Sequence, residues 1–174
     1  MENHKILVVY FSRPDENYNV GTVETGNTEI LAKKLAESLN ADIFAIVPEK
    51  PYPTDYQGCI AVATDERDQD ARPAYIGEID NWSEYDTIFL GYPIWWGDLP
   101  MIVYTFIENH DFTGKTVFPF NTHEGSGNAG TYDTLKEKLN GATVSGDGFN
   151  ISGIKARTED GVAKIIDWAS QQKW

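Results

Sequence analysis

The sequence predicts an α/β fold: a three-layer, doubly wound sandwich on a five-stranded parallel sheet. Two observations carry that expectation. Residues 5–11 (KILVVYF) and 87–92 (TIFLGY) are near-continuous apolar runs, the pattern of strands covered on both faces. Between the apolar runs lie segments whose apolar residues fall three and four apart, so strands and helices alternate in the order βαβαβαβαβα. That alternation implies right-handed crossovers joining parallel strands, with helices on both sides of the sheet.

In chain order, residues 5–11 form the first strand. Residues 28–39 form the first helix, because Leu31, Leu35 and Leu39 recur every four residues beside Ile30, Ala32 and Ala36, while Lys33, Lys34, Glu37 and Ser38 take the other face. Residues 41–47 make a second apolar run, ended by Pro48, and Tyr56, Cys59, Ile60 and Ala63 give residues 54–69 a helical spacing. The third strand is 87–92. Pro100, tolerated in a first turn, opens a strongly apolar helix through Asn109, with Asp98 expected as its cap. The fourth strand, 116–120 (TVFPF), contains Pro119, which lacks an N–H and is awkward in a central ladder. Residues 128–140 set Tyr132, Leu135 and Leu139 on one face before Asn140-Gly141, a left-handed stop. A weaker fifth strand within 142–151 is broken by Gly146 and Gly148, and the closing helix over 159–172 aligns Val162, Ile165, Ile166 and Ala169.

With 174 residues, no long linker and no internal repeat, the chain reads as a single domain over 1–174. Acids outnumber bases 27 to 14, and the net charge of -13 repels nucleic acid and anionic lipid, so neither is an expected partner. Cys59 is the lone cysteine, which excludes an internal disulfide; its helical neighbours make it a small core residue rather than a nucleophile. The apolar run from Ile6 to Phe11 is too short for a signal segment or a membrane span, so a cytoplasmic address is expected. His4, His110 and His123 are scattered without ligand spacing, and no metal site is expected.

In a doubly wound sheet the ligand lies beyond the carboxyl ends of the strands, where the strand order reverses. The loops after the first, third and fourth strands therefore carry the candidate site. After the first strand, Ser12 and Arg13 are followed at a distance by Thr25, Gly26, Asn27 and Thr28, which open the first helix. Free N–H groups and the positive end of the helix dipole suit a phosphate there, although one of these residues can equally serve only as an N-cap. The segment matches neither a Walker loop nor the GxGxxG fingerprint, so a mononucleotide phosphate is the open possibility. After the third strand comes Pro93-Ile94-Trp95-Trp96-Gly97-Asp98, where an indole can lie flat on a planar ring, the glycine admits close backbone approach, and the acid sets a negative charge nearby. After the fourth strand, Thr122, His123, Glu124, Gly125, Ser126 and Gly127 can present donors and acceptors to a polar ring edge. His123 is expected to face the ring or solvent without a catalytic role.

Together, VVYFS…TGNTE, GYPIWWGDLP and the glycine-rich loop after the fourth strand resemble the flavodoxins over essentially the whole chain, most of all their bacterial branch with a long first loop. The resemblance implies strand order 2-1-3-4-5 and an FMN cofactor at the switch point. It makes Ser12 with Thr25-Gly26-Asn27-Thr28 the phosphate loop, interrupted by residues 13–24, and leaves Arg13 as an additional phosphate contact. It gives Trp96-Gly97-Asp98 the family's roles: a stacking indole, a peptide that answers the redox state of flavin N5, and an acid that disfavours the reduced anion. A slip of one residue would pass the stacking to Trp95. The chain departs from the family in having no tyrosine in residues 121–127, so the second ring face is either more exposed or covered by Tyr18.

The resemblance thus implies a noncovalent FMN carrier without catalytic residues of its own, passing electrons at low potential. Its expected partners are redox proteins with basic docking patches, reductases or ferredoxin-linked oxidoreductases, and its expected state is a monomer or weak dimer. The main alternative on the same fold is an NAD(P)H-dependent FMN quinone or azo reductase, for which the missing tyrosine would leave room. A flavin-free receiver domain is a third, but it needs acids where this chain has Phe11-Ser12.

Overall fold

The computed structural model describes residues 4–173; the remaining ends of the expected 1–174 domain lie outside the described residues. The chain runs β1 (Ile6–Tyr10), a hairpin of β2 (Asp15–Asn17) and β3 (Gly21–Val23), α1 (Asn27–Leu39), β4 (Asp42–Ala45), β5 (Val47–Pro48), α2 (Tyr56–Asp68) and β6 (Tyr75–Ile76). It continues through β7 (Thr87–Pro93), α3 (Met101–Glu108), β8 (Thr116–His123), α4 (Thr131–Lys138), β9 (Thr143–Val144), β10 (Phe149–Ser152), α5 (Gly153–Ala156) and α6 (Glu159–Ser170). The main sheet is parallel, in the order β10-β8-β7-β1-β4. Read from the other edge, this is the expected 2-1-3-4-5.

The continuous apolar runs are explained by the two faces of the sheet. Leu7, Val9, Ile88, Leu90 and Tyr92 pack on one side against Ile102 and Phe106 of α3 and Leu135 of α4. Val8, Tyr10, Phe89, Phe118 and Phe120 pack on the other against Leu31 and Leu35 of α1 and Ile165 of α6. In the central strands β1, β7 and β8 every second residue serves a different core, so almost no position there is left for water. Leu31 and Leu35 are fully buried, a contribution of about 1.5–3 kcal/mol each. Asn40, left-handed at φ 49, ends α1.

The fifth strand is divided, as its glycines suggested: β9 pairs with Thr116 and Val117 of β8, and β10 pairs with Phe120 to His123. This division accommodates Pro119. The Val117 carbonyl accepts from the Ser145 N–H on the β9 side, and the Thr122 carbonyl accepts from Ile94 on the other. By alternation the missing N–H of Pro119 points into the gap between β9 and β10, where there is no ladder to join. The strand therefore continues through the proline to His123, three residues beyond the sequence-based limit.

Two further expectations change. The first loop contains the β2–β3 hairpin, and Asp98 does not cap α3, whose N-cap is Pro100. Instead the Asp98 carboxylate accepts from the Leu99 N–H and the Tyr104 hydroxyl, both at 2.7 Å.

Below α3, His110 stacks on Phe106 at 4.2 Å and lies 4.6 Å from Trp82, and its Nδ1 bonds the Phe106 carbonyl. Burial lowers its pKa from the ordinary 6.5. A histidine whose folded pKa is depressed stabilises the fold above the unfolded value, and that contribution is lost as pH falls toward the folded one. Urea midpoints are therefore expected to drop as pH falls below the ordinary histidine value of 6.5, and His110→Gln should remove part of that slope; an unchanged slope would reject the assignment.

Candidate functional site

At the carboxyl ends of β1, β7 and β8 the structure has a cavity of about 240 Å³. Its walls come from five places: the β2–β3 hairpin (Asn17, Tyr18), the start of α1 (Asn27), one face of α2 (Tyr56, Cys59, Ile60, Ala63), the loop after β7 and the loop after β8. Of the residues expected at a site, Arg13, Asn27, Pro93, Ile94, Trp95, Trp96, Thr122, His123 and Glu124 line it. Ser12, Thr25, Gly26, Thr28, Gly97, Asp98, Gly125, Ser126 and Gly127 lie on the same three loops but not on its wall.

The loop after β7 is a tight reversal. The N–H and C=O of Trp95 and Asp98 bond each other at 3.0 and 3.1 Å, and Trp96 and Gly97 between them both have positive φ, 55° and 69°. That is the pattern of a type I′ turn, easy for glycine but costing about 1–3 kcal/mol for a bulky residue. The two indoles separate in role. Trp95 is half-buried and packs edge-on against Phe11 at 5.2 Å and Tyr52 at 5.0 Å. Trp96 is 51% exposed, and the Arg67 guanidinium lies 4.7 Å from its ring centre. A strained, half-exposed tryptophan on a cavity wall is a functional signature more than a packing one.

At the start of α1, Gly26 is the N-cap and has no side chain to bond the first turn; Ser12 supplies the acceptor, taking the Glu29 N–H at 3.0 Å. A Cβ on Gly26 would come within 2.6 Å of the Arg13 carbonyl oxygen, so only glycine fits. Buried Thr28 and Thr122 share a hydrogen bond of 2.8 Å, which ties this helix start to the end of β8. Arg157, which sequence reading did not single out, donates to the Thr25 carbonyl at 2.8 Å and the Asn27 side chain at 3.1 Å, and so sets a cation beside the turn.

Arg13, expected as an additional phosphate contact, lines the cavity. It is buried, and its guanidinium donates to the backbone carbonyls of Glu16, of Pro53 at 2.7 Å and of Thr54 at 3.1 Å. Its terminal nitrogens thus clamp the hairpin to the segment before α2, while its Nε is buried without a hydrogen-bond partner among the described residues.

After β8, His123 Nδ1 accepts the Gly125 N–H at 2.9 Å, and burial depresses its pKa. With the ring neutral, that nitrogen is an acceptor. The Glu124 carboxyl is pushed upward by burial and accepts from Asn19 at 3.4 Å. Gly127 gives its carbonyl to Asn121 at 3.0 Å, and Ser126 gives its carbonyl to Ala129 at 3.2 Å; both serve the turn. Cys59 is buried as expected but also faces the cavity, and burial raises its thiol pKa, which disfavours a thiolate nucleophile.

The α2 wall was visible only as a helical core face. Its small residues, Cys59 and Ala63, leave room where larger ones would fill the cavity. A second cavity of about 400 Å³ lies across the first loop, between Ser12, Glu24, Glu29, Ile46 and Tyr52. Its carboxylates, Asp15, Glu24 and Glu29, disfavour a phosphate. Among the described residues no group of acids, histidines or cysteines could hold a metal ion, and no helix is long and apolar enough to cross a membrane.

The sequence matches the flavodoxin family model over residues 5–168. A solved protein from Bacteroides eggerthii, assigned as a flavoprotein, is 32% identical with a TM-score of 0.74, covering 98% of this chain and 100% of its own. A second from Bacteroides uniformis, likewise assigned, is 30% identical at TM-score 0.76, with the same coverage. A flavoprotein from Lactobacillus acidophilus, solved in complex with FMN, is 19% identical at TM-score 0.66, covering 93% of this chain and 98% of its own, and shows likeness of fold. No curated protein sequence matches the chain. The match over residues 5–168, on a parallel sheet in the order β10-β8-β7-β1-β4, shows that this chain belongs to the flavodoxin family.

Proposed function

We propose that the chain binds FMN noncovalently and serves as a low-potential electron carrier in the cytoplasm. The single observation behind this reading is the aromatic-walled cavity placed between the start of α1 and the Trp95–Asp98 turn. Its volume of about 240 Å³ is below the roughly 300–1,000 Å³ of a site that takes a whole ligand, so it suits the flat ring, with the phosphate outside at the N–H groups that follow Gly26. The FMN complex of the Lactobacillus acidophilus flavoprotein supports the same cofactor.

In this reading Thr25, Gly26, Asn27 and Thr28 hold the phosphate, and Arg157 supports that turn. Trp96 offers the ring a flat indole, while Trp95 braces the wall. When bound, FMN supplies the redox chemistry; the protein sets its potential by stacking, hydrogen bonds and charge. Glu124 sets a carboxylate on the cavity wall and opposes added negative charge there, with Asp98 in the turn next to that wall. The net charge of -13 steers the molecule to basic patches on reductases or ferredoxin-linked oxidoreductases.

Purified protein titrated with FMN should show flavin bands that bleach with dithionite; a cavity indifferent to FMN would end this reading. Trp96→Ala is expected to weaken FMN about tenfold, from roughly 1.5 kcal/mol of stacking, with little change in stability. Trp95→Ala, which removes contacts to Phe11 and Tyr52, should instead lower stability by about 3 kcal/mol. Reversed outcomes would exchange the two roles.

A further inference from the structure

We propose that the β2–β3 hairpin is a strap across the ring site, and that Tyr18 and Tyr56 on it and beneath it make the site selective for electrons passed between proteins over hydride from a free nicotinamide. The inference rests on the FMN reading above.

The hairpin is fastened on both sides of the cavity. On the α2 side, the Glu16 N–H donates to the Thr54 carbonyl at 3.1 Å, and the Glu16 carboxylate accepts the Tyr56 N–H at 2.6 Å. Arg13 adds its donors to the same segment, and Asn17 donates back to the Arg13 carbonyl at 3.0 Å. On the far side, Asn19 donates to Glu124 in the loop after β8. The hairpin thus joins the two walls between which a ring would lie. Next to this tie, Tyr18 is 52% exposed and stacks on Tyr56, with centroids 5.8 Å apart and an interplanar angle of 29°. Both tyrosines line the cavity that Trp95 and Trp96 also line.

Residues 121–130 contain no Tyr, Phe or Trp, so the loop after β8 has no such ring to offer. The strap supplies one from a different part of the chain. The consequence concerns reaction class. Hydride transfer moves one hydrogen and two electrons from nicotinamide C4 to flavin N5, leaving a pyridinium, and needs the two rings face to face at contact distance. A single electron needs only an accessible ring edge. Tyrosines held over the outer face block the first exchange and leave the second open.

Three readouts test this. Hydrogen exchange of the apoprotein should show slower exchange across residues 16–21 when FMN is added, because the strap closes on the ring. FMN-loaded protein mixed anaerobically with excess NADPH should be reduced slowly. Tyr18→Ala, a change at an exposed position, should speed that reduction about tenfold or more, and Tyr18→Phe should restore the slow rate. Equal rates for wild type and Tyr18→Ala, or strap exchange unaffected by bound FMN, would overturn the proposal while leaving FMN binding in place. Absence of any FMN uptake by the wild type would instead remove the cofactor reading beneath it, and the titration separates that result from the others.

Discussion

Gly91→Ala is expected to cost about 2–3 kcal/mol of stability, among the largest effects of any single methyl added to this chain. Gly91 sits in β7, directly opposite Phe120 of β8, and both face the α1–α6 side of the sheet. A Cβ at Gly91 would lie within 3.0 Å of three Phe120 ring carbons, Cζ and both Cε. The ring lies over the glycine and is wholly buried, so it has no free volume to enter. Leucine lacks those three carbons, which makes Phe120→Leu the informative partner. Alone it should destabilise by about 1–2 kcal/mol through lost burial; combined with Gly91→Ala it should recover at least about 1 kcal/mol relative to the sum. Urea denaturation of the FMN-free protein measures both. A Gly91→Ala protein within about 0.5 kcal/mol of wild type would show that the ring yields more readily than a packed core allows.

That contact marks the limit of what could be read in advance. Apolar runs announced the central strands β1, β7 and β8 because burial on both faces demands it, and the β10-β8-β7-β1-β4 order followed through the family resemblance. Leu31 and Leu35 announced the buried face of α1 by their spacing. Gly91, by contrast, reads as one more residue of TIFLGY; its need to be glycine depends on the Phe120 ring of the next strand. The same holds for Arg13. Beside Ser12 at the end of a strand it reads as a phosphate contact, and its bonds to the carbonyls of Pro53 and Thr54 could not be read there, because only the tertiary fold places them within reach. Pro119 reads as a strand breaker until the gap between β9 and β10 is seen beside it. Local chemistry was often legible where its cause lay within a few residues, though the β2–β3 hairpin and the bonds of Asp98 were not. The site's far wall, Tyr56 to Ala63 of α2, was legible as a helix face but not as a wall, because spacing says which residues share a face and nothing about what they face.

Gly26→Ala is expected to raise the FMN dissociation constant at least about a hundredfold, roughly 2.7 kcal/mol, more than the loss of the Trp96 indole. The backbone of Gly26 is at φ -67°, which alanine adopts freely, so conformational freedom is not the issue. Space is. The new methyl would meet the Arg13 carbonyl oxygen at 2.6 Å, and that carbonyl is held in turn by Asn17. Relief requires Gly26 and the first turn of α1 to move away from Ser12, which breaks the Ser12 hydroxyl's bond to the Glu29 N–H and turns the Asn27 and Thr28 N–H groups away from a common phosphate. Ser12→Ala separates the two causes. It removes the hydroxyl and its bond to Glu29 at about 1 kcal/mol, but it leaves the Arg13 carbonyl in place. The double variant should therefore bind FMN as poorly as Gly26→Ala alone. Recovery of affinity in the double variant would show that the hydroxyl, and not the backbone carbonyl, is what forbids a side chain at the start of α1. Titration of riboflavin beside FMN then locates the loss: a broken phosphate turn should bring the two affinities together, whereas an equal loss for both would place the damage at the ring.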